Sequence, residues 1–288
     1  MASVLITGTS KGIGFEAALA FGRAGHTVHA TMRKPSQSPE LAEMTAREKL
    51  PITVSAMDVD SDDSVTRAIA IIEKDRGPID VLVNNAGIEK VGSIEELPLG
   101  EFRAVMETNY FGAIRCIKAL VRQMRQRRSG CIINVTSIGG RISSAPLTPY
   151  NASKWALEAL SEGLAGEMKT FGVRVAIVEP GIIDTAMARR LRARTNPSPY
   201  RQTERFAALF MAALKNPVPP SLVAAKILEI AESGTWQLRH PVGPDALPFL
   251  QWRSAMTDEA WVDLNAADDD AWYRGLQRDF GLDSRPKN

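Results

Sequence analysis

The start of the chain joins an apolar strand, a glycine-rich loop and a helical pattern without interruption. The strand is predicted over Ser3–Thr7, the loop holds Gly8, Gly12 and Gly14, and apolar residues at helical spacing follow over 15–24. Glycines let a backbone approach a pyrophosphate closely, and the free N–H groups of a helix start attract its negative charge. The loop therefore indicates a dinucleotide site. Its spacing differs from G-x-G-x-x-G, so this motif alone leaves an ordinary glycine-rich turn open.

Strands and helices go on alternating to about residue 185. Further strands are predicted over 26–32, 52–57, 79–83, 131–136 and 173–178, helices over 65–74, 101–127 and 150–170, and a polar, helix-prone connection over 35–50. Short loops join these segments, which requires a parallel sheet with right-handed crossovers. We therefore predict an α/β fold with a doubly wound parallel sheet, in which ligands bind at the carboxyl ends of the strands.

The composition fits one large domain without a strongly charged partner. The chain has 288 residues, 44% of them hydrophobic, and a formal net charge of +2. A chain with this charge balance has no strong overall electrostatic field that would attract nucleic acid or an anionic membrane. We interpret the basic run 122–128 as the solvated C-terminal end of a helix. No apolar run approaches the roughly 18 residues of a membrane span. We expect a soluble cytoplasmic protein.

Metal-binding chemistry is not indicated. The two cysteines, Cys116 and Cys131, lie in apolar segments, as expected of free thiols in a reducing compartment. The three histidines are scattered, and His29 lies inside a predicted strand, where a packed side chain is expected. We predict no metal site.

A tyrosine and a lysine four residues apart suggest acid–base chemistry. On one helix, Tyr150 and Lys154 share a face, and an ammonium close to a phenol lowers the pKa of the phenol. Ser137, at the end of a predicted strand, could bond the oxygen of a carbonyl or alcohol while Tyr150 exchanges its proton. The spacing is also common on solvated helices, so the rest of the chain has to support this hypothesis.

Two basic residues bear on the type of dinucleotide. Arg33 follows the second predicted strand, where an acid would bond a ribose 2′-hydroxyl and a base would accommodate a 2′-phosphate. Lys11 in the glycine loop adds a second charge. Ordinary solvated bases are the alternative, but two bases on neighbouring loops favour a phosphorylated cofactor.

Other polar residues follow predicted strands. Asp58 is interpreted either as a contact for adenine or as a loop acid ahead of a helix capped near Asp60 or Ser61. The run 84–87, Asn-Asn-Ala-Gly, follows a predicted strand. It is interpreted either as part of a ligand site at the carboxyl end of that strand or as a plain turn. Asn109 is polar amid apolar neighbours, which predicts a satisfied interior amide, a helix irregularity, or both.

Together these motifs resemble the short-chain dehydrogenase/reductase family over residues 4–185. The glycine signature of the family matches the loop 7–14, and its Asn-Asn-Ala-Gly signature matches 84–87. The run 30–35, the long C-terminus and the run 240–245 are similar to hydroxysteroid and retinol dehydrogenases. The catalytic residues of the family fall on Asn109, Ser137, Tyr150 and Lys154.

The resemblance implies a Rossmann-type fold and a nicotinamide cofactor. It implies that Lys11 and Arg33 mark the NADP(H)-preferring type, with NAD(H) less favoured. Asp58 would lie near adenine, Lys154 would also bond the nicotinamide ribose, and Thr185 would lie near the carboxamide. A homodimer or homotetramer is expected, although the long tail departs from the tetrameric members. The implied cofactor contacts are Gly8, Ser10, Lys11, Gly12, Ile13, Gly14, Arg33, Asp58, Val59, Asn85, Ala86, Gly87, Tyr150, Lys154, Pro180, Gly181, Ile183 and Thr185.

The remainder of the chain, 186–288, is predicted to be a substrate lid and a C-terminal extension of the same domain. A helix is predicted over 221–233 and a last strand over 236–240. Between Pro199 and Pro217 an apolar stripe recurs at helical spacing, and it either packs on the core or closes over a substrate as a mobile lid. For the tail from Pro244, the sequence predicts only that it packs on the core. The stripe comprises Phe206, Leu209, Phe210, Ala213 and Leu214, while Arg201, Glu204, Arg205 and Lys215 lie largely elsewhere.

The sequence therefore predicts an NADP(H)-dependent oxidoreductase that interconverts a secondary alcohol and a carbonyl, in the reducing direction. Tyr150 would be the acid and base, Ser137 would orient the substrate oxygen, and Asn109 would support a water-mediated proton path. The lid hypothesis favours a bulky apolar substrate, steroid-like or retinoid-like. A reductase of small polar carbonyls and a catalytically idle dinucleotide-sensing module are the alternatives.

Overall fold

One sheet of seven parallel strands crosses the computed structural model, which describes residues 1–191 and 198–285. The strands are β1 (Ser3–Thr7), β2 (Thr27–Met32), β3 (Ile52–Ala56), β4 (Val81–Asn84), β5 (Gly130–Val135), β6 (Val173–Pro180) and β7 (Arg239–Val242). Their order is β3-β2-β1-β4-β5-β6-β7. The chain winds outward from β1 to one edge and from β4 to the other. The predicted doubly wound α/β fold is confirmed.

Helices cover both faces of the sheet. They are α1 (Gly12–Arg23), α2 (Glu40–Glu48), α3 (Asp62–Arg76), α4 (Leu99–Met106), α5 (Gly112–Arg127), α6 (Thr148–Lys169), α7 (Ala186–Leu191), α8 (Gln202–Ala213), α9 (Pro220–Ser233), α10 (Ala246–Ser254), α11 (Asp258–Ala266) and α12 (Asp269–Phe280). The start of α3 is capped by Ser61, whose side chain accepts a hydrogen bond from the Ser64 backbone, as predicted. No helix in the described ranges is long and apolar enough to cross a membrane.

The alternation of side chains along β1 divides the core into two layers. Val4 and Ile6 pack in one apolar cluster with residues of α1 and α9, whereas Leu5 packs in a second cluster with residues of α3, α5 and α6. Successive residues of a strand point to opposite faces, so both faces of a central strand must be apolar when helices cover both. This packing leaves the carboxyl ends of the strands open for a ligand.

The predicted helix 101–127 is interrupted. The structure has α4, a π-helical turn over Glu107–Phe111, and then α5. Asn109 lies within the turn and is 1% exposed. Both parts of the prediction for Asn109 are thus confirmed, since it is a buried amide within a helix irregularity.

The last strand begins later than predicted. Pairing with β6 starts at Arg239, and His240 and Val242 are buried. Trp236, which was predicted to start the strand, is 49% exposed and has Lys169 over its ring. The tail that follows forms three helices, α10 to α12, and Phe249, Leu250, Trp252 and Phe280 pack there with Ile142. The predicted packing of the tail onto the core is confirmed.

Candidate functional site

A cleft at the carboxyl ends of the strands brings together most of the predicted site residues. Its empty volume is about 1730 Å³, including the space that is open to solvent. Of the residues assigned to catalysis or cofactor binding, Gly14 and Asn109 do not line it. The others do: Gly8, Ser10, Lys11, Gly12, Ile13, Arg33, Asp58, Val59, Asn85, Ala86, Gly87, Ser137, Tyr150, Lys154, Pro180, Gly181, Ile183 and Thr185.

The glycine loop is fixed against the segment that follows β4. The Asn85 side chain donates hydrogen bonds to the backbone oxygens of Thr7 and Gly8, at 2.9 and 3.1 Å. A Cβ atom on Gly14 would lie 2.5 Å from the Gly8 oxygen, and Gly12 has a φ of +64°. A side chain is therefore excluded by lack of space at Gly14 and disfavoured by backbone conformation at Gly12.

The start of α1 is free to accept a negative group. Lys11 precedes the helix without a side-chain capping bond, and the first turn contains no acidic residue. The first N–H groups of a helix have no partners within it. Because Gly8, Lys11 and Gly12 line the cleft, a phosphate could reach these groups.

The two bases predicted to hold a 2′-phosphate follow the neighbouring strands β1 and β2 and reach the same cleft. Lys11 and Arg33 are exposed, both line it, and neither forms a salt bridge with any described residue. Asp60 lines the cleft beside them and was not predicted to do so. Burial raises the pKa of Asp60, while the bond from Thr108 and the charge of Arg33 act in the opposite direction.

Asp58 is the loop acid ahead of α3 that its position suggested, while its contact with adenine stays a prediction. It lines the cleft, and its Oδ1 accepts a hydrogen bond of 3.1 Å from the backbone of Asp60. Its own N–H donates to the Ser64 hydroxyl at 3.0 Å. Asp58 therefore shapes the turn before α3 while remaining beside the space that a ligand would occupy.

Ser137 and Tyr150 meet at the end of β5. Ser137 follows this strand, and its Oγ accepts a bond of 3.0 Å from the Gly139 backbone. The Ser137 hydroxyl donates to the Pro180 backbone oxygen at 3.4 Å, and its interaction with the phenol acts to lower the pKa of Tyr150. Lys154 lies one turn further along α6, with its Nζ 5.6 Å from the centroid of the Tyr150 ring. The structure thus places the three predicted side chains in one group.

The pKa values of this group differ from the expectation. Burial raises the pKa of Tyr150 to about 12, with the Ser137 bond opposing the rise. Burial also lowers the pKa of Lys154 to about 8, and its Nζ donates to the Val135 backbone oxygen at 2.8 Å. The expected lowering of the Tyr150 pKa is therefore wrong for this structure, because lost solvation outweighs the opposing effect of Ser137.

A buried carboxylate that was not predicted supports the charge of Lys154. Glu158 is 4% exposed, lies one turn further along α6, and raises the pKa of Lys154 against the effect of burial. Its two oxygens accept bonds from the Thr136 hydroxyl at 2.6 Å and from Arg239 Nε at 2.9 Å. The spacing of four from Lys154 was the available sequence signal, but an acidic residue at that spacing is common on exposed helices.

Asn109 connects three parts of the site without lining the cleft. Its Oδ1 accepts from the Ile88 backbone at 2.8 Å, and its Nδ2 donates to the Ile88 oxygen and to the Ser153 hydroxyl, each at 2.9 Å. Both amide N–H groups are thereby used. Asn109 holds the segment after Gly87 against α6, and the water-mediated proton path stays a prediction.

The loop after β6 forms another part of the wall of the cleft. Thr185 lines the cleft, and its hydroxyl accepts from the Ala188 backbone at 3.2 Å, which caps α7. Asp245, in the run 240–245, accepts a bond of 2.7 Å from the Ile182 backbone. Burial raises the pKa of Asp245. This carboxyl fixes the loop that contains Gly181 and Ile183.

A second cavity adjoins the cleft at Ser137 and Tyr150. Its empty volume is about 950 Å³, including the part that is open to solvent. Most of its wall is apolar and comes from α8 and the three C-terminal helices. The sequence had predicted core packing or a lid role for the α8 segment but only core packing for the C-terminal helices. Three tryptophans in a short tail were the available signal. The apolar and aromatic lining residues are Ile138, Ile142, Leu147, Tyr150, Ile182, Phe206, Leu209, Phe210, Phe249, Trp252, Trp261, Leu264, Trp272 and Leu276.

The predicted stripe on α8 packs in the core and also lines a cavity, while its closure over a substrate as a mobile lid stays a prediction. Phe206, Leu209 and Phe210 line the second cavity, and Phe206 is also buried in a cluster with Val91 and Leu147. The stripe is therefore core packing and cavity wall at once. Pro197 lies outside the described residues.

One expectation about α8 is wrong. Arg205 was predicted to lie away from the stripe, yet it is 5% exposed and lines the second cavity. Its Nε donates to Asp269 on α12 at 2.7 Å. An acid 64 residues further along the chain compensates its charge, which no local pattern could indicate.

Comparison with known proteins gives matches over most of the chain. The model of the short chain dehydrogenase family matches residues 2–196. Oxidoreductase BOA17 of Botryotinia fuckeliana is 34% identical over 269 residues, 91% of this chain and 97% of that protein. Human retinol dehydrogenase 8 is 38% identical over 207 residues, 70% of this chain and 65% of that protein. The crystal structure of a short-chain dehydrogenase from Streptomyces avermitilis is 32% identical, with a TM-score of 0.77 over 96% of this chain and 97% of that one.

Proposed function

Because the chain belongs to the short-chain dehydrogenase/reductase family, we propose that it is an NADP(H)-dependent reductase that converts a carbonyl to an alcohol. One observation carries the proposal: Ser137 and Tyr150 line both the cleft and the apolar cavity, so their hydroxyls lie where these two spaces adjoin. A substrate carbonyl that enters through the cavity would meet both hydroxyls beside the cleft. When bound, the nicotinamide cofactor supplies the hydride.

The cleft fits a phosphorylated dinucleotide. Gly8 and Gly12 of the glycine loop line the cleft without side chains, and a Cβ atom at Gly14 would clash with the Gly8 oxygen that shapes this loop. Lys11 and Arg33 line the cleft and form no salt bridge in the described parts of the chain. A 2′-phosphate would give them charge-assisted hydrogen bonds that a 2′-hydroxyl cannot. These observations support NADP(H) over NAD(H).

Tyr150 would act as the acid. With a pKa of about 12, its phenol is protonated at neutral pH and can donate its proton to the developing alkoxide. The Ser137 hydroxyl would donate a hydrogen bond to the same oxygen and hold it in place. Lys154, whose ammonium is favoured by Glu158, would bond the nicotinamide ribose and stabilise the phenolate that forms. Asn109 would hold α6 and the segment after Gly87 in register.

The second cavity supports a bulky apolar substrate. The apolar lining residues from α8 and the C-terminal helices include Phe206, Leu209, Trp252 and Trp261. Human retinol dehydrogenase 8, which is named for an apolar alcohol, is 38% identical to the chain over 207 residues. A steroid-like or retinoid-like carbonyl is therefore the proposed class. The cytoplasmic location, the homodimeric or homotetrameric state and the motion of the lid stay predictions.

A substrate panel tests the proposal. Purified protein with NADPH should reduce a steroid ketone or a long-chain aldehyde with a higher kcat/KM than a small sugar-like ketone, as followed by the loss of NADPH absorbance. If the small polar ketone is the better substrate, the apolar class is wrong. If NADPH binds but no carbonyl is reduced, the chain is a dinucleotide-sensing module instead.

A further inference from the structure

The second cavity contains a basic side chain within its largely apolar wall. Arg205 is 5% exposed and lines the cavity on the side formed by α8. Its Nε is bonded to Asp269, but its Nη1 is buried and has no hydrogen-bond partner among the described residues. A buried N–H group without an acceptor is costly in free energy. An oxygen atom of a bound molecule would remove that cost.

Two carboxamides lie beside Arg205. Gln202, three residues earlier on α8, and Asn265 on α11 also line the cavity. The Gln202 Nε2 atom donates to the Asn265 backbone oxygen at 3.2 Å, and the Asn265 Nδ2 atom donates to the Trp261 oxygen at 2.8 Å. With the amide nitrogens directed to these bonds, the carboxamide oxygens serve as acceptors. This wall therefore offers one donor and nearby acceptors, which matches a hydroxyl group.

The local charges are balanced. Asp269 accepts hydrogen bonds from both Arg201 and Arg205, at 2.5 and 2.7 Å. Arg201 also pairs with Glu204 at 2.8 Å. Two arginines thus face two carboxylates, so no excess positive charge is left for an anion. A neutral oxygen suits this wall better than a carboxylate.

Resting on the proposed reductase function, we infer that Arg205, together with Gln202 and Asn265, binds a hydroxyl group of the substrate. This hydroxyl is separate from the carbonyl that Ser137 and Tyr150 bind, because the two sets of lining residues come from different elements: α8 and α11 for one, the end of β5 and the start of α6 for the other. The substrate is therefore an apolar skeleton with two oxygen functions, a reducible carbonyl and a distant hydroxyl. Arg205 is the residue that selects for substrates with the distant hydroxyl.

Two matched steroid ketones test this inference. One is 5α-androstan-3-one, and the other is 17β-hydroxy-5α-androstan-3-one, which adds only the distant hydroxyl. We expect kcat/KM to be on the order of tenfold higher for the hydroxylated ketone, because a hydrogen bond to a charged group is gained. In Arg205→Met the ratio of kcat/KM for the hydroxylated ketone to kcat/KM for the other ketone should fall close to one. Absence of the preference in the unmodified protein, or its persistence in Arg205→Met, would overturn the inference.

Arg201→Met is the matched control. Arg201 pairs with the same Asp269 but does not line the cavity, so its loss should leave the ratio unchanged. Should Arg205→Met fail to fold, Gln202→Leu replaces it and should lower the ratio at least about threefold, through loss of one hydrogen bond. An unchanged ratio in Gln202→Leu would then count against the inference.

A binding measurement separates this inference from the proposed function. Trp252, Trp261 and Trp272 line the cavity, so their fluorescence should respond to a bound steroid. The two ketones are titrated in the presence of NADP⁺, where no reduction occurs. Tighter binding of the hydroxylated ketone that is lost in Arg205→Met supports the role of Arg205 even if the enzyme reduces neither ketone. Equal dissociation constants in the unmodified protein contradict it.

Discussion

The Nζ atom of Lys154 lies 5.6 Å from the centroid of the Tyr150 ring, one turn further along α6. Burial favours the neutral form of both groups. It raises the pKa of Tyr150 to about 12 and lowers the pKa of Lys154 to about 8. The phenol therefore keeps its proton at neutral pH. That state is the one a reductase needs, because the acid must be protonated when the carbonyl oxygen becomes negative.

Replacing Tyr150 by phenylalanine should nearly abolish reduction. We expect Tyr150→Phe to lower kcat by about 10²- to 10⁴-fold, since a positioned general acid contributes that much. The Kd for NADPH should stay within about twofold, because the hydroxyl acts mainly in the chemical step. Steady-state kinetics and a fluorescence titration give the two values. Tyr200→Phe is the control, since Tyr200 bonds Glu95 and lines neither cavity. Substantial turnover by Tyr150→Phe would remove Tyr150 from the mechanism.

Lys154 should lower stability while it supports function. Its pKa falls from 10.5 to about 8 on folding, so the unfolded chain binds more protons between these values and stability rises with pH through this window. At pH 7, Lys154→Met should raise the free energy of unfolding by about 1–3 kcal/mol. The gain should shrink as the pH approaches 10. Guanidinium denaturation at pH 7 and at pH 9.5 measures both effects.

Cofactor binding by the same lysine should depend on pH in the opposite sense. Its ammonium is lost as the pH rises through about 8, so NADPH should bind more weakly above that pH. In Lys154→Met this pH dependence should be absent and kcat should be strongly reduced. If Lys154→Met weakens only NADPH binding and leaves kcat intact, the lysine has no part in proton transfer.

Neutralising Arg33 should change the cofactor preference. Arg33→Met should raise the Kd for NADPH by roughly 10- to 100-fold, because charge-assisted bonds to a phosphate are lost. The Kd for NADH should change by less than about twofold. Lys34→Met is the matched control, since Lys34 is an adjacent exposed base that does not line the cleft. Equal affinities for the two cofactors in the unmodified protein would already refute the preference.

A methyl group on Gly14 should disrupt the cofactor site. The added Cβ would lie 2.5 Å from the Gly8 backbone oxygen, so the loop or the helix start must shift. We expect Gly14→Ala to lose about 1–3 kcal/mol of stability through overpacking and to bind NADPH poorly. Gly163→Ala on α6 is the control, because its Cβ would meet nothing within 4 Å. This change should stabilise the fold by up to about 1 kcal/mol. Thermal unfolding measures the stability of both variants, and NADPH titration measures their affinity for the cofactor.

Residues near one another in the chain were well predicted. The strand, loop and helix around Gly8 to Gly14, the cap at Ser61 and the shared face of Tyr150 and Lys154 are all present. Each depends on backbone geometry over a few residues, which sequence spacing records directly. The edge at which the strands end also follows from the alternation of elements, since parallel strands must all end on one side.

The sequence by itself thus determined the alternation of strands and helices to about residue 185, the sheet and the residues at its carboxyl edge. Only the tertiary structure decided the pKa directions of Tyr150 and Lys154 and the burial of Arg205. The reason is that solvation depends on which distant segments pack around a group. Lys154 is supported by Glu158 and, through it, by Arg239 on β7, while Arg205 is paired with Asp269 on α12. Periodicity along a chain describes the face of a helix but not what covers that face.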